Sequence, residues 1–175
     1  MQMADGVVGG FFCSDNLFTP CGTDPKERMH NITIKGEGQA VLDGGKPTDL
    51  NEKTQKEKGA PVALNTPIFF MNVTGFSVQN ISITNQRYWG MRFQFCDRGI
   101  IRDIFFSVKR DRFNQDGINL RNGCHDILIE NIFGQTGDDM IALSAIDTDR
   151  RVGFNIDYPL IVEGLSWDIH DVTIR

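Results

Sequence analysis

Five stretches of the chain repeat one order of apolar and polar positions. They are Met29-His30-Asn31-Ile32-Thr33-Ile34, Val73-Thr74-Gly75-Phe76-Ser77-Val78, Cys96-Asp97-Arg98-Gly99-Ile100-Ile101, Cys124-His125-Asp126-Ile127-Leu128-Ile129 and Ile169-His170-Asp171-Val172-Thr173-Ile174. Each opens on an apolar residue, passes through two mostly polar ones, and ends apolar–x–apolar; only Gly99 breaks the order. Alternation with a period of two predicts a strand. The closing positions, 34, 78, 101, 129 and 174, lie 44, 23, 28 and 45 residues apart, near multiples of 22 to 23 with insertions. A recurring period of that length predicts a solenoid. Recurrent Leu with an Asn or Cys notch, as a leucine-rich repeat needs, is absent. The expected fold is therefore all-β, a parallel β-helix in which residues one coil apart become neighbours.

Composition narrows the picture. The net charge is −5, and no basic run or stripe marks a nucleic-acid partner. Thirteen Phe suit a stacked interior and eighteen Gly suit tight corners. No apolar run is long enough to span a membrane. Met1-Gln2-Met3-Ala4-Asp5-Gly6 has neither a basic start nor an apolar core, so no signal peptide is visible. The compartment stays open, as does the oligomeric state. The last residues, Val172-Thr173-Ile174-Arg175, fall inside a repeat strand without a cap, which reads as truncation of a longer solenoid.

One domain is expected over 1–175. Residues 1–28 form an irregular start, 46–61 a charged, solvated loop insertion, and 147–166 a second insertion that breaks the register. A short loop from Lys109 to Phe113 lengthens one coil just before Asn114.

The candidate chemistry lies on that coil. Asn114-Gln115-Asp116-Gly117 and Gly137-Asp138-Asp139 place three aspartates about one coil apart, and neighbouring rungs are about 4.8 Å apart. Asp116 and Asp138, 22 residues apart, read as stacked. Asp139 would point away from Asp138 on a regular strand, unless the glycine before the pair turns both toward one cleft. Clustered carboxylates repel, so at least one holds its proton to a raised pH and serves as an acid. The others stay ionised and activate water, as hydrolysis of a glycosidic bond requires. Asp43 and Asp126, by contrast, read as turn formers.

From Thr66-Pro67-Ile68-Phe69-Phe70 through Ser144 the chain resembles the polygalacturonases, glycoside hydrolase family 28. The family's Asn-Thr-Asp motif stands here as Asn114-Gln115-Asp116, and its Gly-Asp-Asp motif as Gly137-Asp138-Asp139, followed by Met140-Ile141-Ala142-Leu143. The resemblance implies a right-handed, single-stranded parallel β-helix of the pectin-lyase-like kind, incomplete in this chain. It implies hydrolysis of pectic polysaccharide with inversion, with Asp116, Asp138 and Asp139 catalytic and no cofactor. Two features depart from the family. Gln115 replaces the usual Thr, and the Gly-His-Gly and Arg-Ile-Lys motifs that hold an anionic sugar have no counterpart.

Other residues have competing readings. Asn114, Trp89, Tyr88, Arg92 and Arg121 are candidates for sugar stacking or carboxylate binding. His30, His125 and His170 share one register position, which reads as turn-lining structure rather than a metal site, since their coils are distant. Cys96 and Cys124 share another, and read as inward free thiols; pairing of Cys13 with Cys21 stays open. Asn31, Asn72 and Asn80 match glycosylation acceptors but read as corner residues. Two alternatives to the hydrolase stay open. One is a calcium-dependent polysaccharide lyase on the same fold. The other is a non-catalytic carbohydrate-binding solenoid.

Overall fold

The computed structural model describes residues 1, 12–13, 28–45, 66–109, 114–145 and 166–175. They form eleven strands, in chain order β1 (Phe12–Cys13), β2 (Met29–Lys35), β3 (Val41–Asp43), β4 (Ile68–Met71), β5 (Val73–Thr84), β6 (Met91–Gln94), β7 (Asp97–Ser107), β8 (Ile118–Arg121), β9 (His125–Gln135), β10 (Ile141–Ser144) and β11 (His170–Ile174). One sheet runs β1-β4-β6-β8-β10 and the other β11-β9-β7-β5-β2, with β3 also on β5. Every pairing is parallel. Successive coils thus give a short strand to one sheet and a long strand to the other. This is a parallel β-helix, as the repeat predicts. Cys21, the charged stretch 46–61 and nearly all of 147–166 lie outside the described residues, as does most of 1–28.

The predicted register holds rung by rung. Ile34 pairs with Val78, Val78 with Ile101, Ile101 with Ile129, and Ile129 with Ile174. Val78, Ile101 and Ile129 are fully buried. Ile34 is half-buried, and Ile174 is 51% exposed because no described strand stacks beyond β11. Gly99 breaks the apolar pattern for a steric reason. It lies opposite Phe76, and a Cβ there would come within 2.2 Å of the Phe76 ring. That ring occupies the volume an apolar side chain would otherwise fill. It stacks on Phe93 at 4.8 Å, and Phe70 meets both edge-on at 5.9 and 5.7 Å.

The polar pair in each repeat makes a corner. Asn31, Gly75, Arg98, Asp126 and Asp171 align on successive rungs, and all have φ between 51 and 70°. Asn and Asp adopt this left-handed conformation at low cost, and Gly at none. A second column, Asn80, Asp103 and Asn131, bends the long strands with φ of 54 to 55°. Asn31, Asn72 and Asn80, the glycosylation matches, all sit at such corners, and Asn72 is fully buried.

Cys96 and Cys124 are buried free thiols on neighbouring rungs, as expected. Burial, reinforced by Cys124, pushes the Cys96 thiol well above its ordinary pKa. The histidine column is also in register: His30, Thr74, Asp97, His125 and His170 follow rung by rung. His125 and His170, read from sequence as lying on distant coils, are on adjacent rungs with rings stacked at 4.8 Å. The long insertion between them hid that adjacency. Each bonds through Nδ1 to the aspartate after it, Asp126 or Asp171, at 2.8 Å.

Candidate active site

The site is built where the short-strand sheet begins. Ile118 pairs with Ile141 and Met91 with Ile118. The ladder continues backward through two glycines: Gly90 N–H donates to the Asp116 carbonyl, and Gly117 N–H to the Asp139 carbonyl, each at 2.8 Å. Trp89, Asp116 and Asp139 therefore occupy corresponding positions on three rungs. The offset here is 23 residues, so Asp139, rather than Asp138, continues the register of Asp116. Glycine is needed at 117 for closeness, since a Cβ would lie 2.4 Å from the Met140 carbonyl oxygen.

Asp138 is tied to the same place by a different bond. Its Oδ2 accepts from the backbone N–H of Asn114 at 3.2 Å. Asn114 has φ of 59°, the left-handed conformation that turns this N–H toward the next rung. The Thr136 hydroxyl donates to the Asp138 carbonyl at 2.7 Å and closes the turn of the Gly-Asp-Asp segment. Asp138 and Asp139 are exposed, whereas Asp116 is buried.

Burial drives the electrostatics. It pushes the Asp116 carboxyl up to about 6, Asn119 opposes it by hydrogen bonding, and the charges of Asp138 and Asp139 add to the rise. The negative charges of Asp138 and Asp139 thus act on the Asp116 carboxyl from the next rung. Asp116 in its ionised form is a stronger base than an ordinary aspartate.

The other sequence candidates are divided between two places. Asn114 is at the carboxylates. Trp89, Arg92 and Arg121 form a buried cluster beside them, with the guanidinium carbons 5.4 and 5.2 Å from the Trp89 ring. Arg92 also lies over Phe69 at 4.6 Å and donates to Gln94 at 2.8 Å. Tyr88 stacks on Trp89 at 4.7 Å and is buried too. None of these four presents a face to solvent in this arrangement.

Sequence reasoning missed Asn119 and Gln86. Asn119 Nδ2 donates to Asp116 Oδ2 at 3.0 Å. Gln86 Nε2 donates to the Asp116 carbonyl at 2.8 Å, and Gln115 Nε2 donates back to the Gln86 carbonyl at 2.7 Å. The strand alternation of Ile118-Asn119-Leu120 offered a signal for Asn119, since it turns Asn119 to the face opposite the core. Gln86 had none, because its partner is 30 residues away.

Comparison with known proteins bears on the family of the chain. Over 139 residues the chain is 27% identical to a polygalacturonase, QRT2, of Arabidopsis thaliana, covering 75% of this chain and 31% of that protein. Over 116 residues it is 25% identical to an exopolygalacturonase of Zea mays, covering 66% of this chain and 28% of that protein. The chain thus spans about a third or less of the length of these relatives. The sequence model of glycosyl hydrolases family 28 matches residues 25–156, which include both aspartate motifs and most of the described coils. The chain belongs to glycosyl hydrolases family 28.

Proposed function

We propose that the chain carries the carboxylate group of an inverting glycoside hydrolase acting on pectic or related acidic polysaccharide. The observation that carries this reading is the placement of the three aspartates on adjoining rungs of the family's fold, Asp139 in the register of Asp116 and Asp138 held by the Asn114 N–H. Asp138 is the general acid. It is exposed, so its carboxyl reaches a glycosidic oxygen laid along the sheet, and it gives that oxygen a proton as the C–O bond breaks. Asp116 and Asp139 position a water on the opposite face of the sugar and take its proton as it attacks the anomeric carbon. With its carboxyl at about 6, Asp116 is ionised and able to take the water's proton only near and above that pH, and the acid role of Asp138 rests on its place in the Gly-Asp-Asp motif and on its exposure. The polysaccharide is the only partner this chemistry needs, and it needs no cofactor.

Asn114 is the substrate contact nearest the carboxylates. Trp89, Arg92 and Arg121 are buried together beside the carboxylates and in this arrangement back the site rather than touch the sugar. The reading is tested on a protein in which this chain is joined to the family's Gly-His-Gly and Arg-Ile-Lys motifs. Such a protein should release reducing ends from polygalacturonate without an unsaturated, ultraviolet-absorbing product, and chelator should leave the rate unchanged. An unsaturated product that chelator abolishes would instead establish a calcium-dependent lyase. Oligosaccharide binding with no turnover would establish a binding solenoid.

A further inference from the structure

The proposed chemistry needs Asp116 to present one oxygen in one place. Asn119 follows three residues later on β8, between Ile118 and Leu120, which point into the core. Its amide donates to Oδ2 of Asp116 at 3.0 Å, while the buried Oδ1 has no hydrogen-bond partner among the described residues. The two oxygens are therefore inequivalent. The backbone behind them is held as well, by Gln86 on the Asp116 carbonyl and by the return bond from Gln115.

We propose that Asn119 is a positioning residue for Asp116, holding Oδ2 on its amide and so fixing the orientation of the carboxyl. Asp138 and Asp139 are the titratable groups that act on Asp116 from the next rung. On the rung below, Arg92 lies opposite Asn119 and is engaged by Gln94 and the Phe69 ring. Arg121, two residues further along β8, is turned toward Trp89. Asn119 is thus the side chain that donates to the charged form of Asp116, with a smaller contribution from Asp116's own backbone N–H, and it restrains the rise caused by burial and by the two acids.

The inference rests on Asp116 being part of the catalytic group, but its test reads protonation rather than turnover, so the two fail separately. In the unmodified chain, the Asp116 carboxyl carbon and the Asn119 side-chain amide are followed by NMR from about pH 4 to about pH 8. Asp116 should titrate near 6, and the Asn119 amide should shift with the same midpoint. In Asn119→Ala the Asp116 midpoint should rise by about one unit, and Asn119→Gln should recover part of that change. An Asn119 amide that ignores the Asp116 titration would overturn the proposal, as would an unmoved or lowered midpoint in Asn119→Ala. The first arm needs no substitution, so it decides the matter even if a variant fails to fold.

Discussion

Asp138→Asn is expected to lower turnover of an acidic polysaccharide by about 10²–10⁴, with a smaller change in binding. The measurement is release of reducing ends by a protein that joins this chain to the family's Gly-His-Gly and Arg-Ile-Lys motifs. The amide keeps the shape of the carboxyl and its bond from the Asn114 N–H, but it has no proton to give the leaving oxygen. Binding should persist because the remaining contacts are untouched. The 175-residue chain alone should hydrolyse little or nothing, since it has no counterpart of those basic motifs and catalysis depends on positioning as much as on acid and base. Equal rates for wild type and Asp138→Asn, or strong activity from the short chain, would sink the assignment of Asp138.

The largest expected effect on stability belongs to Phe93→Ala. Phe93 is fully buried, stacked on Phe76 and met edge-on by Phe70. Truncation removes the ring that holds the two sheets apart and leaves a cavity that rigid rungs cannot close. The loss should be about 3–5 kcal/mol in urea unfolding. Phe105→Ala is the control: Phe105 is 48% exposed, and its loss should change stability by about 0.5 kcal/mol or less. Comparable losses in both variants would show that the core is not organised around the Phe70, Phe76 and Phe93 cluster.

The solenoid was legible because its information is one-dimensional. In a parallel stack each rung repeats the last, so the columns ending in Val78, Ile101 and Ile129 could be read by aligning the chain with itself. The same alignment found the paired cysteines and the corner asparagines. It failed where insertions hide adjacency. His125 and His170 looked remote because of the residues between their coils, yet their rings stack. It also missed a one-residue difference at the site, where Asp139 follows the register of Asp116. Spacing near 22 or 23 cannot distinguish the two aspartates, because the glycine bends that precede β8 and β10 decide which one faces Asp116. Side-chain amides were illegible for another reason. Gln86 serves a backbone carbonyl on another coil, and no periodicity marks such a bond. The burial of Trp89, Arg92 and Arg121 was equally hidden, since aromatic and basic residues at a sheet face suggest a sugar site until their packing is known.

The central claim is that these carboxylates work as an acid and a water-activating base on opposite faces of one sugar. The most direct test is the anomeric configuration of the first product, read by proton NMR before mutarotation, in a protein that carries the complete set of family motifs. The account predicts a product anomer opposite to that of the bond cleaved, because water rather than a carboxylate attacks the anomeric carbon. A first product that keeps the original configuration would mean that an aspartate attacks directly, and would contradict the account.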